Sequence, residues 1–449
     1  MTTTSRRQFL KTASALGALG ALGGVSGLAS GSPGYQALVC IFLAGGNDGH
    51  NTVVPINTAK QSYGLYAQGR QALAIPQSSL LPISNGSDQY GLHPLMPEIQ
   101  ALYNAGNAAI LANVGMLVQP TTRSMYLANS LQNVPAELFS HSDQVNAWQS
   151  AVPNGTATTG WGGLVEDYLQ SYNMGAAFSP ITSTSGCGLF CTGQQTYAAT
   201  VPVGGATLLE GANTPARLQA VQSLMAFDNG LKLVTADNAN FVRGVGFSQA
   251  LSAALASAKV NTPFPGSILG QQLQTVAKVM SIRGALGIQR QVFFCQLGGF
   301  DTHGQQLGAA GQDGLLQQLS QAVNQFYLAT QEVGTDAATV TFTASEFGRT
   351  LQPNTAAGTD HAWGSHHFVI GTSAAKSGPV NGGQFYGQYP SLALGGQDDA
   401  NSRGTLIPTT SVDQYAATLA QWFGLPSSAL SQIFPYLGNF KTSNLGFLA

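Results

Sequence analysis

Charge is what this chain has least of. Lysine, arginine, aspartate and glutamate together make up 8% of its 449 residues, against about 25% in average soluble chains. The net charge is -2 and no basic cluster occurs. That excludes the footprint of a nucleic-acid binder and argues equally against attachment to an anionic membrane surface. Long apolar runs are missing as well. No segment offers the roughly 20 strongly apolar residues of a spanning helix, so no stable membrane span is expected and the mature chain should be soluble. Cysteine is scarce, with four in all. Cys40 and Cys295 lie in apolar runs and read as small core residues. Cys187 and Cys191 share a Gly/Ser/Thr-rich loop, where they either close a small disulfide in an oxidising compartment or stay as thiols. The scarcity has a corollary: with so few ionisable groups, each Asp, Glu or His in an apolar context is a candidate for function.

What is present begins with Ser5-Arg6-Arg7-Gln8-Phe9-Leu10-Lys11. Paired arginines (Arg6, Arg7) before Phe-Leu-Lys and a weakly apolar Ala/Leu/Gly run form a twin-arginine export signal. Small residues near Ala29 suit a signal peptidase, so residues 1–30 read as signal peptide and 31–449 as the mature domain. The expected partner during export is the twin-arginine translocase, and the expected location is periplasmic or extracellular.

Short apolar runs ended by glycine read as strands buried on both faces. They are Ala37–Leu43, Ala108–Val114, Val292–Leu297, Val340–Thr343 and Phe368–Ile370. Helical patterns lie between them, at Leu95–Tyr103, Ser142–Gln149, Leu164–Tyr172, Leu315–Val333 and Asp413–Phe423. This alternation predicts an α/β fold, a mostly parallel sheet with helices on both faces. Residues 175–285 interrupt the order with a polar loop and helix-like stretches at Pro215–Phe227 and Phe247–Ala258, and read as a largely helical insertion or cap.

Polar residues gather at the expected strand ends, where open α/β sheets bind ligands. Asp48, Asp301 and Glu346 each follow a strand. His303 lies two residues beyond Asp301, His361 follows Asp360, and His366-His367 open the last strand. Carboxylates and imidazoles converging from separate strands suit a divalent ion: Zn or Mn, or Mg or Ca in a carboxylate-rich site. Each residue also has a plainer reading. Asp48 can be a helix N-cap, and His366 and His367 a polar strand end. Ser140, in Phe139-Ser140-His141-Ser142-Asp143-Gln144, is a candidate nucleophile at a helix start that favours anions, or simply a cap.

Taken together, these landmarks resemble an exported bacterial family of unassigned function, DUF1501. They are Phe42-Leu43-Ala44-Gly45-Gly46-Asn47-Asp48-Gly49, Ser140–Gln144, Gly298-Gly299-Phe300-Asp301-Thr302-His303, Ser345-Glu346-Phe347-Gly348-Arg349-Thr350 and Gly358-Thr359-Asp360-His361, with Arg403-Gly404, Asp413-Gln414-Tyr415 and Ile433-Phe434-Pro435 in the tail. The family is usually placed in the alkaline phosphatase and sulfatase superfamily. The resemblance implies two metal ions at the strand ends and a nucleophile at a helix start. It places Asp48, Asp301, His303, Glu346 and His361, or His366, as ligands, with Ser140 as nucleophile. One departure stands out: Phe347 follows Glu346 where the superfamily has a metal-binding His. The implied activity is hydrolysis or transfer on phosphate or sulfate esters, of a small molecule or a glycan, outside the cytoplasm. The rival is a non-catalytic exported protein, metal-binding or degenerate, that keeps the fold and at most one metal, for stability or surface assembly. A metal-free serine hydrolase built on Ser140 and His141 is disfavoured, since no Gly-x-Ser-x-Gly elbow is present.

Overall fold

The computed structural model describes residues 34–128, 134–186, 188–205, 208–209, 214–227 and 230–449. Arg6, Arg7 and Cys187 lie outside the described residues, so the export signal and a Cys187–Cys191 disulfide are not addressed by it. The strands in chain order are β1 (Gln36–Ala44), β2 (Val53–Asn57), β3 (Leu81–Asn85), β4 (Asp88–Leu92), β5 (Ala108–Gly115), β6 (Ile181–Ser183), β7 (Ala199–Thr200), β8 (Arg290–Gly298), β9 (Thr339–Ala344), β10 (Ser365–Ile370), β11 (Phe385–Tyr386) and β12 (Thr410–Ser411).

The main sheet runs β11-β5-β10-β9-β1-β8-β6-β7, with β12 added beside β5. β1 sits between β8 and β9, parallel to both, and Ala44 pairs with Gly298. β10 is antiparallel to both its neighbours, β9 and β5, and among the described residues is the single reversed strand of this sheet. β2, β4 and β3 form a separate antiparallel sheet.

Both faces of the main sheet are covered, which is why β1 is apolar throughout rather than alternating. Ala37, Val39, Ile41 and Leu43 face one core cluster, with Ile99, Leu273 and Leu319. Leu38, Cys40 and Phe42 face the other, with Trp148, Trp161, Val165 and Tyr415. The first cluster is roofed by helices Pro97–Asn104, Ile268–Ser281 and Gln312–Glu332, and the second by His141–Ser150, Trp161–Leu169 and Val412–Trp422. The expected α/β architecture is therefore present.

Two helices differ from their sequence expectation for identifiable reasons. The helix expected from Leu164 starts earlier, at Trp161. Gly162 and Gly163 look like breakers but serve close packing. A Cβ at Gly162 would meet the Phe190 ring at 2.6 Å, and one at Gly163 the Thr192 backbone at 2.2 Å. The helix expected from Phe247 is the second half of Lys232–Leu255, which runs through Gly244 and Gly246. Within 175–285, β6 and β7 join the main sheet and Ile268–Ser281 enters its core. Helix Pro215–Met225 buries no side chain and Lys232–Leu255 buries only Leu251.

Candidate metal centre

Parallel β1, β8 and β9 end at one edge, so the loops after Ala44, Gly298 and Ala344 emerge together. Reversed β10 begins at that same edge, which brings the loop before it, with Asp360 and His361, to the others. Close packing there demands glycine. Gly45 has φ +120° and its Cβ would lie 2.2 Å from the Asp301 backbone nitrogen, a position only glycine fills without strain.

Asp301 is the centre of the cluster. Its Oδ1 lies 3.0 Å from His303 Nε2, 3.2 Å from His361 Nε2 and 3.4 Å from His141 Nε2. The Arg349 guanidinium donates to the same oxygen at 2.9 Å. Asp301 and His303 are exposed while Thr302 between them is buried, the alternation of an extended segment. Burial raises the Asp301 carboxyl, but the Arg349 hydrogen bond and charge, with His303 and His141, leave it below the ordinary range.

Each imidazole is oriented from behind. His141 Nδ1 lies 2.9 Å from Glu346 Oε1, His303 Nδ1 lies 3.3 Å from Asp360 Oδ1, and His361 Nδ1 lies 2.8 Å from the Phe139 carbonyl. Each Nδ1 thus faces an acceptor to which it can donate, which frees Nε2 to ligate an ion; with no ion between them, Asp301 Oδ1 can instead accept from an Nε2–H, as its 3.2 Å contact with His361 allows. His303 Nε2 and His361 Nε2 then face each other at 2.9 Å, and buried His141 Nε2 has no hydrogen-bond partner. Facing lone pairs repel unless a cation or a proton lies among them. Ligand histidines held through the other nitrogen by a carboxylate or carbonyl are the usual support of a metal site. His141, Asp301 and His361 offer ligand atoms all within 4.8 Å of one another, and His303 joins through the last two. The donor set fits a divalent ion, and three imidazoles with one carboxylate fit Zn or Mn better than all-oxygen Mg or Ca. Burial lowers the His361 pKa, with Arg349 and His141 adding to the effect against the Phe139 carbonyl and Asp301. That favours the neutral, ligating ring.

Other expected ligands are placed differently. Asp48 caps helix Gly49–Thr52, accepting from the His50 and Asn51 backbone N–H groups. Its other oxygen is ion-paired with buried Arg70 and bonded by Gln306. Its plain reading as a cap is the one the geometry displays, and its charge is already matched. Glu346 accepts from the Gly45 N–H at 2.8 Å and stands behind His141. His366 is buried, accepts from the Asn113 N–H at 3.0 Å and stacks on Tyr389, so no contact joins it to the Asp301 cluster. Phe347 lies beneath the histidines, its ring centroid 4.8 Å from His141 and 4.6 Å from His361. Ser140 is the N-cap residue of helix His141–Ser150 by backbone conformation, and its hydroxyl contacts Asp143 and Ser142 rather than the cluster.

A candidate ligand not expected from the sequence is His141, which reads there as a neighbour of Ser140. The signal was present: it is an imidazole at a helix start, inside a landmark motif of a chain with seven histidines. Asp360 and Arg349 stand in the chain as motif neighbours of the candidate ligands, yet one contacts His303 and the other Asp301. Arg403 forms a 2.7 Å ion pair with Asp360 and is 40% exposed at the rim.

No curated protein matches this chain. Among solved structures, "Ps i-CgsB in complex with k-i-k-neocarrahexaose" is similar at 10% identity and TM-score 0.36, over 91% of this chain and 77% of that one. The C-terminal periplasmic domain of EcEptC from Escherichia coli matches at 10% identity and TM-score 0.35, over 89% and 85%. The PsFucS1 sulfatase from Pseudoalteromonas sp. matches at 10% and 0.34, over 88% and 68%. Likenesses this loose carry no argument about chemistry. Among the described residues, no helix is long and apolar enough to cross a membrane. Residues 3–23 match the twin-arginine translocation pathway signal sequence, so the chain is exported, to the periplasm or beyond. Residues 35–417 match the model described as "Protein of unknown function (DUF1501)", and the chain belongs to that family.

Proposed function

We propose that this exported protein is a metal-dependent hydrolase or transferase of phosphate or sulfate esters, with one divalent ion held by His141, Asp301, His303 and His361. The observation that carries the reading is the set of three imidazole Nε2 atoms turned onto Asp301 Oδ1, each ring fixed through its Nδ1. When bound, such an ion supplies a Lewis acid that polarises an ester oxygen and eases deprotonation of a hydroxyl.

The chain's own groups supply the rest. Arg349 and Glu346 fix Asp301 and His141 so that the cluster keeps its shape as substrate enters. Ser140 stands at the free N–H groups of helix His141–Ser150, which favour an anion. Its hydroxyl proton is already directed at Asp143. In this reading Ser140 Oγ bonds to phosphorus or sulfur, its proton passes to Asp143, and the ester's alcohol oxygen departs, taking a proton from solvent. Water then releases Ser140 in hydrolysis, or an acceptor alcohol does so in transfer.

The rival, a non-catalytic metal-binding protein, has one observation in its favour: the Ser140 hydroxyl is engaged by Asp143 and Ser142. Elemental analysis of purified protein, with a screen of phosphate and sulfate esters, separates the two. The proposal expects about one ion per chain, turnover, and a covalent adduct on Ser140 detectable by mass spectrometry and absent in Ser140→Ala. Bound metal with no turnover of any ester supports the rival. Absence of metal removes both.

A further inference from the structure

We propose that the site takes a singly charged ester, a sulfate monoester or a phosphate diester, in preference to a dianionic phosphate monoester. This rests on the metal-dependent reading above and narrows its substrate class. The argument is the charge held around Asp301. Three carboxylates, Asp301, Glu346 and Asp360, are linked through His141 and His303 into one network. Two guanidiniums oppose them: Arg349 on Asp301 and Arg403 on Asp360. Histidines ligate an ion only as neutral rings, so in the metal-bound site the three imidazoles add no charge. The network therefore holds one negative charge, and a divalent ion turns it to one positive. The neighbouring Asp48 is balanced by Arg70 and adds nothing.

One positive charge is neutralised by one negative ester. A dianion leaves the site with an excess negative charge, close to fixed carboxylates. Asp143, exposed beside Ser140, adds negative charge on the solvent side and opposes a second ester charge more than a first. Among the described residues, Arg403 is the exposed cation in contact with this network, and Arg349 is fully buried and already committed to Asp301, Thr359 and Gly45. No further cation touching the network can absorb a second charge. At a few ångströms and an effective dielectric of about 20, one uncompensated charge is worth more than a tenfold change in affinity.

The test compares two analogues of the same shape, benzenesulfonate and phenylphosphonate, at mildly alkaline pH where the phosphonate carries two charges. Calorimetric binding to the metal-loaded protein reads affinity without turnover. The sulfonate is expected to bind about tenfold tighter or more, and neither should bind metal-free protein. Arg403→Gln leaves the four metal-holding side chains in place and should weaken sulfonate binding about three- to tenfold at unchanged metal content. Nitrophenyl sulfate and a bis-nitrophenyl phosphate diester then show which singly charged ester is turned over. Metal-dependent binding in which the dianion equals or exceeds the monoanion overturns this proposal alone. Failure to bind metal, or to bind either analogue, overturns the metal-dependent reading and this proposal with it.

Discussion

Asp48 and Asp301 follow the ends of neighbouring parallel strands, yet substituting them tests opposite properties. Asp48 is buried against Arg70. Asp48→Asn removes one partner of a buried ion pair and should cost roughly 3–5 kcal/mol in denaturant unfolding, with metal content unchanged. Asp301 and His303 are 45% and 47% exposed, so Asp301→Asn and His303→Ala should both lose bound metal by elemental analysis, while His303→Ala changes stability by about 1 kcal/mol or less and Asp301→Asn costs more because it unmatches buried Arg349. Full metal occupancy in both variants would sink the ligand assignment. Asp360→Asn reaches the ion only through His303 Nδ1 and should weaken metal binding by roughly 10–100-fold, measured by chelator competition. Unchanged affinity would mean that His303 is oriented by something else. At this scale the sequence showed which residue types gather at the edge but not their ranks. Asp48 and Glu346 look like ligands in the chain, and only tertiary contact reveals Arg70 matching the first and His141 standing in front of the second.

The reversed strand β10 carries two buried imidazoles. His366 is lowered to about 3 by burial, with His50 and His367 nearby, and His367 to about 3 by burial alone. Both values lie below the unfolded value of about 6.5. Their contribution to stability is therefore present above about pH 6.5 and is lost as the pH falls through about 3. Each should add a slope of about 1.4 kcal/mol per pH unit within that window. His367 Nε2 has no partner and its ring stacks on Tyr415, so His367→Phe should keep the packing and flatten the acid side of the stability profile. Equal slopes for variant and parent, in urea unfolding across the window, would contradict this. Element types and order were largely legible, because strands buried on both faces leave unbroken apolar runs such as Leu38–Leu43. The direction of β10 was not, since Phe368-Val369-Ile370 reads the same either way. Nor was the continuity of Lys232–Leu255, whose internal glycines carry a local penalty of about 1 kcal/mol each that the helix absorbs.

The twin-arginine signal at residues 3–23 is read by its arginine pair, so Arg6→Lys with Arg7→Lys should leave precursor in the cytoplasm on fractionation. Normal export of that variant would remove the assignment. A different consequence follows from the single reversed strand. Because β9 leaves the sheet and β10 re-enters it beside β9 at the same edge, the connection over residues 345–364 begins and ends at the site. It carries Glu346, Arg349, Asp360 and His361, and no helix of the two covering layers forms part of it. Its arms are packed, with Leu351 and Trp363 buried, and only its tip at residues 355–357 is exposed, so length can vary at that tip. Lengthening it costs only slowly growing closure entropy and leaves every sheet pairing intact. The rim of the cluster can therefore be reshaped at one point, with the sheet, its two helical layers and the residues around Asp301 left as they are.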